Sequence, residues 1–191
     1  PEAGGHLGFK ESELISEDMP KLEDITTDVV DYIKDVEKET GKEIPVIAAG
    51  GIWDGKDIKK FLGLGASGVQ MATRFVATDE CDASQEFKEA YVNAKQEDIK
   101  IIHSPVGMPG RAINNQFIQK EETQKSKIEK CYGCIKTCNV KDAPYCITKA
   151  LINSVKGNIE KGLIFCGSNV YKIKEIVSVH SLMQELVAGI A

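Results

Sequence analysis

The stretch Ile44-Pro45-Val46-Ile47-Ala48-Ala49-Gly50-Gly51 ends an apolar run on a pair of glycines. A second short apolar stretch, Ser67-Gly68-Val69-Gln70-Met71, runs into Ala72-Thr73, and a polar, helix-forming segment separates the two. Strand, turn, helix and strand in this order describe a βαβ unit, whose strands lie parallel and whose turns emerge side by side at their carboxyl ends. Turns so placed can aim their backbone N–H groups at one anion. Glycine suits such a turn because a Cβ would hold the backbone away from its ligand.

Working outward, Asp24 to Lys38 carries Ile25, Val29, Ile33 and Val36 on one helical face, and Gly41 supplies a stop. Between the glycine-rich turns, Asp54 is a candidate N-cap for a helix that buries Ile58, Phe61 and Leu62 before the break at Gly63 and Gly65. A third helix starts near Ser84 and presents Phe87, Ala90, Tyr91 and Ala94. Ile99 to Ile102 reads as a short strand. Residues 119–130 have almost no apolar content and read as an exposed helix or linker. Beyond them come clustered cysteines, a helix from about Ile147 to Val155, the apolar Leu163 to Gly167 segment, and a last amphipathic helix with Leu182, Leu186 and Val187.

Composition narrows the class. Hydrophobic residues make up 42% of the 191, as in an ordinary globular protein, and no apolar run approaches the roughly 20 residues that cross a bilayer. A formal charge of -5, with Lys and Arg scattered among acids, argues against a nucleic-acid partner, which needs clustered cations. The expected partner is a small-molecule substrate, with neither nucleic acid nor membrane, in the reducing cytoplasm.

Three segments together carry a family resemblance: Glu2-Ala3-Gly4-Gly5-His6-Leu7-Gly8, Ile44 to Phe75, and Ser104 to Ile113. They resemble the FMN-dependent nitronate monooxygenases and their relatives, the flavin-containing enoyl-ACP reductase II enzymes. The resemblance implies an α/β fold, the carboxy-terminal portion of a (β/α)8 TIM barrel with an appended, mainly helical, cysteine-containing segment. Because such barrels need about 200 residues or more, it also implies that the amino-terminal barrel half is missing. The corresponding division is residues 1–118 as barrel, 119–130 as linker and 131–191 as the cysteine-cluster segment.

The same resemblance assigns Gly4 a backbone contact to FMN, and gives Gly51, Gln70, Met71, Ala72 and Thr73 to its phosphate. Family members usually carry Gly where this chain has Ala72, an exchange that matters only if the backbone there requires positive φ. His6 is the catalytic candidate, acting beside the flavin ring as a base or as a substrate-orienting donor. Imidazole suits either task because its unperturbed pKa, about 6.5, lies near working pH. His103 is expected to make a structural hydrogen bond and His180 to lie on the surface; Arg74 directly follows the cradle but could equally pair with a carboxylate between barrel helices, and stays out of the catalytic set.

Cys131-x2-Cys134-x3-Cys138-x7-Cys146 is a second candidate site, four thiols that could hold zinc or an iron–sulfur cluster. Packing as small apolar groups is the alternative. Cys81 and Cys166 stand alone. Three functions follow: FMN-dependent oxidation of alkyl nitronates by molecular oxygen; reduction of enoyl thioesters or quinones by NADH or NADPH through FMN; or a non-catalytic piece organised by a metal-bound cysteine module.

Overall fold

The computed structural model describes residues 2–14, 19–124, 126–136 and 138–190, so Lys125 in the expected linker lies outside the described residues. The fold is α/β. The two glycine-rich turns close parallel strands β2 (Ile47–Ala49) and β3 (Gly68–Gln70), in register from Ile47 opposite Gly68 to Ala49 opposite Gln70. β2 is shorter than the apolar run. Pro45 has no N–H to give a ladder, and Val46 bonds instead to Ser67, its N–H donating to Oγ at 3.2 Å and its carbonyl accepting from Ser67 N–H at 2.7 Å.

The connection between the strands is α3 (Gly55–Gly63), capped as expected by Asp54, whose Oδ1 accepts from the N–H groups of Lys56 and Asp57 at 2.9 and 3.0 Å. Asp57 completes the start of the helix by accepting from Trp53 N–H at 2.8 Å. Ile58 and Phe61 are buried, while Leu62 is 39% exposed. A second helix, α2 (Leu22–Thr40), precedes this unit and stops where Gly41 turns left-handed at φ 66°. Its buried residues are Thr26 and Val30, and Val29 is exposed. The face is rotated from the expected one because Gly65, at φ 95°, leaves room for Val30, whose Cγ1 lies 2.9 Å from the place a Cβ would occupy. Thr26 enters the interior at little cost, since its hydroxyl donates to Leu22 O at 2.7 Å.

The second sheet is antiparallel. β1 (Gly5–His6) pairs with β5 (Pro109–Ile113), and β5 with β4 (Ile99–His103), in the order β1-β5-β4. Around these strands lie α1 (Glu11–Leu14), α4 (Thr73–Val76), α5 (Gln85–Val92), α6 (Gln116–Thr123), α7 (Ile147–Val155) and α8 (Val179–Ile190). α5 is capped by Ser84 and α6 by Asn115, each accepting the N–H of the residue three places on.

Packing crosses the boundary expected at residues 119–130. Phe165 bridges Ala112 of β5, Cys166 N–H donates to Arg111 O at 3.1 Å, and Val177 bridges Thr78. Leu182 and Leu186 of α8 join Ala48, Ile52, Ile58 and Phe61 in one core, while Ile164, Cys166 and Val170 join Ala77 and Tyr91 in another. Val187, placed by periodicity on the buried face of α8, is 59% exposed, because α8 meets α3 along the Leu182 and Leu186 side only. The two helices cross at glycines: a Cβ on Gly55 would lie 2.5 Å from Gly189 Cα. Overpacking of this kind costs about 1–3 kcal/mol. Gly55→Ala should therefore lose about that much stability in urea unfolding, whereas Gly63→Ala, with nothing within 4 Å of its Cβ, should be neutral or gain up to about 1 kcal/mol.

Candidate functional site

A cavity of about 300 Å3 opens at the carboxyl ends of β2 and β3. Gly4, Gly51, Gln70, Met71, Ala72 and Thr73, all singled out from sequence, line it. Gly50 and Gly51 both take positive φ, 107° and 71°, conformations that L side chains avoid. Ala72 sits at φ -129°, so its methyl group meets no backbone conflict. The N–H groups of Gly51, Ala72 and Thr73 donate to no other described residue. Backbone donors left unpaired around a cavity are a standing invitation to an anion.

A third wall was not found by sequence reading. Gly167, Ser168 and Asn169 line the cavity and tie its two turns together. Gly167 N–H donates to Thr73 Oγ1 at 3.0 Å, and Asn169 Nδ2 donates to Gly51 O at 2.8 Å. The opening loop is held to the same wall by Ser168 N–H donating to Glu2 O at 3.2 Å. Gly4 has to be glycine for this approach, because a Cβ there would lie 2.6 Å from the Cys166 carbonyl carbon. The available signal was the apolar Leu163 to Cys166 run ending on Gly-Ser-Asn, which repeats the strand-then-small-residue pattern of the first two turns. Thr73 Oγ1 accepts from Gly167 and so keeps its own proton for donation into the cavity. Glu2 is exposed, and its side chain lies against Gly51, where a Cβ would be 2.8 Å from its Cδ.

Arg74 lines the cavity too, but its guanidinium is committed elsewhere. Its guanidinium grips Glu185 of α8 with both nitrogens, at 2.8 and 2.7 Å, donates to Trp53 O at 3.2 Å, and stacks 5.0 Å from the Trp53 ring. Of the two roles open to Arg74, pairing with a carboxylate is the one present. The hydrogen bonds from Arg74 hold the Glu185 carboxyl below its ordinary range, so the pair's contribution is fully present above pH 4.5 and fades as pH falls through the folded-state value.

His6 does not line the cavity. It lies on β1 opposite Gly110, with Nε2 2.7 Å from Ser104 Oγ and its ring edge-on to Phe165 at 4.9 Å. Burial pushes its pKa below 6.5, which keeps the imidazole neutral at pH 7. His103 is exposed at the end of β4, and its side chain makes no hydrogen bond among the described residues, contrary to expectation. His180 is on the surface, as expected.

The four clustered cysteines do not come together. Cys131 and Cys134 are exposed, Cys138 and Cys146 half-buried, all free thiols. Among the described residues no three His, Cys, Asp or Glu side chains form a metal-holding group. Tyr145 and Ile147, both buried, anchor the chain on either side of Cys146, and in an extended segment the residue between two inward neighbours faces outward. Cys81 is half-buried and Cys166 buried, its thiol pushed up to about 12 by desolvation. Among the described residues no helix is long and apolar enough to cross a membrane.

Comparison with known proteins agrees with this layout. The nitronate monooxygenase family profile matches residues 1–189. A probable nitronate monooxygenase of Staphylococcus saprophyticus is 40% identical over 121 residues, 62% of this chain and 31% of that one. Its counterpart in Staphylococcus haemolyticus is 31% identical over 156 residues, 81% of this chain and 37% of that one. The chain thus spans about a third of the length of these curated relatives. Among solved structures, FabK from Thermotoga maritima superposes with a TM-score of 0.70 at 26% identity, over 99% of this chain and 51% of that one. Nitroalkane oxidase from Streptomyces ansochromogenes shares the fold, with a TM-score of 0.66 at 23% identity over 99% of this chain and 49% of that one. With a profile match along nearly its whole length, the chain belongs to the nitronate monooxygenase family.

Proposed function

We propose that these residues form the carboxy-terminal part of an FMN-binding (β/α)8 barrel that oxidises alkyl nitronates with molecular oxygen. The observation that carries this reading is the convergence of unpaired N–H groups from Gly51, Ala72 and Thr73 on one cavity, beside a Thr73 hydroxyl with a proton to give. That donor set fits the phosphate of a mononucleotide. It offers several N–H groups, no bulky side chain between them, and glycines where the backbone turns left-handed. Gly4 adds the opening loop to the wall, and Asn169 holds the first turn in place by its Gly51 carbonyl.

Bound flavin supplies the electron transfer to oxygen; the chain binds it, orients it and manages protons around it. His6 stands two residues beyond Gly4, which lines the cavity, and that sequence proximity supports giving its neutral imidazole a role beside the flavin. There it holds the charged oxygen of the substrate. A hydride-transferring relative of the same fold, fed by NADH or NADPH, is the second reading, and the likeness to FabK favours it. The cytoplasm remains our proposal for where the protein works.

Two measurements test this. FMN titrated into the full-length protein should bind and quench its flavin fluorescence. Placing a Cβ at the left-handed Gly51 costs about 1–2 kcal/mol, so Gly51→Ala should weaken binding roughly tenfold. Asn169→Ala, which removes one supporting hydrogen bond worth about 1 kcal/mol, should weaken it less. A full-length protein that binds no FMN ends the proposal. With FMN bound, propyl nitronate should drive oxygen uptake; no uptake, together with fast anaerobic bleaching of the flavin by NADH, would transfer the assignment to the reductase reading.

A further inference from the structure

The four clustered thiols do not converge, yet the first two differ from the rest. Cys131 and Cys134 are both exposed, whereas Cys138 and Cys146 are half-buried and Cys166 lies in the core. A Cys-x2-Cys spacing suits two tasks, holding a metal and cycling between dithiol and disulfide. Among the described residues no metal-holding group forms around this pair, which leaves the second. Three residues of extended chain would set the two Cα atoms about 10 Å apart, while a disulfide needs roughly 4.4–6.8 Å. The chain must therefore turn between them. Gly133 supplies that freedom: it takes the left-handed φ of 63°, nothing lies within 4 Å of the place of its Cβ, and its N–H donates to Cys131 Sγ at 3.4 Å. Residues 131–134 are all exposed, so closing the pair disturbs no core. The flanks are held independently, Ser126 by N–H donation to Pro144 O at 3.0 Å and Ile135 by packing on the Phe117 and Tyr145 cluster. The surroundings are cationic in an acidic molecule. Lys127, Lys130 and Lys136 stand against Glu129 alone, which pairs with Lys149 at 3.7 Å, and Lys130 Nζ sits 5.4 Å from the Tyr132 ring between the two cysteines. Exposed thiols among cations are the reactive kind.

We propose that Cys131 and Cys134 form a reversible dithiol–disulfide pair that exchanges with small anionic disulfides. A backbone donor already aimed at its sulfur makes Cys131 the attacking member. After its proton passes to water, Cys131 Sγ attacks one sulfur of the incoming disulfide, whose S–S bond breaks and whose first half leaves as a thiolate. Cys134 then loses its proton to water and attacks Cys131 Sγ, expelling the second half as a thiolate. The protein gives up two electrons and two protons, and the small disulfide is reduced to two thiols. Neither cysteine lines the cavity between the glycine-rich turns, so this couple is separate from the flavin chemistry proposed above.

The test is peptide mass mapping of reduced full-length protein after incubation with glutathione disulfide and quenching with iodoacetamide. Trypsin cuts after Lys130 and Lys136, releasing residues 131–136 with these two cysteines alone. That peptide should lose two hydrogens and take up no iodoacetamide, Cys138 and Cys146 should be alkylated, and dithiothreitol should restore the dithiol. Cys134→Ser should accumulate the mixed disulfide of Cys131 with glutathione. Cys131→Ser should react roughly tenfold more slowly, having lost the sulfur that carries the hydrogen bond. Gly133→Val should let Cys131 react but stall before the pair closes. Cystamine, a cationic disulfide, should react more slowly than glutathione disulfide at low salt. A wild-type pair that stays reduced, stops at the mixed disulfide, or bonds Cys131 to Cys138 or Cys146 overturns the proposal, and cystamine reacting as fast overturns its choice of oxidant. All three substitutions fall on exposed residues outside the cores, so the variants should fold.

Discussion

Two short parallel strands can hold an anion with their outgoing turns only if the amides of those turns stay unpaired and fixed, and these requirements oppose each other. An unpaired amide is free to swing toward whatever acceptor is near, and a fixed one is normally fixed by its own hydrogen bond. The chain resolves this by holding the turns through other atoms. Asn169 grips the first turn by its carbonyl, and Gly167 grips the second by the Thr73 side chain. The N–H groups of Gly51, Ala72 and Thr73 remain uncommitted while Gly51 and Thr73 are tethered through other atoms.

That solution explains why residues far along the chain belong to the site. The Gly167-to-Asn169 wall sits where it does because Leu163, Ile164 and Cys166 are buried and Phe165 bridges Ala112 at the edge of β5. Behind the turns, α8 lies against α3 through the Gly55–Gly189 crossing and reaches Arg74 through Glu185. Arg74 immediately follows Thr73, and Trp53 stands two residues beyond Gly51. A guanidinium that bonds the Trp53 carbonyl and stacks on its ring therefore braces the two turns against each other.

What the sequence disclosed and what it concealed divide along a physical line. Asp54, Ser84 and Gly41 were readable because a cap or a left-handed stop is settled by atoms within three or four residues. The glycine-rich turns were readable because positive φ leaves few residue choices. The rotation of α2 that buries Val30 in place of Val29 depends on Gly65, and the exposure of Val187 depends on which edge of α8 meets α3. No helical periodicity contains either fact. The cysteine spacing shows the opposite failure. A short interval in sequence promised convergence, but buried Tyr145 and Ile147 set the direction of the chain at Cys146 and the thiols stay apart.

The choice of backbone donors in place of lysines also fits the electrostatics of this chain. A Lys near the cavity would be a mobile charge, free to pair with the many acids of a molecule at net -5. The nearest acid is Glu2, whose side chain already lies beside Gly51. Fixed amides cannot be neutralised in that way, and their dipoles need no reorganisation when an anion arrives. Glu2 is exposed, so its carboxylate is free to turn toward solvent when the proposed phosphate enters. A phosphate offers several acceptor oxygens to the amides, so it can be met by more of these fixed donors at once than a carboxylate can.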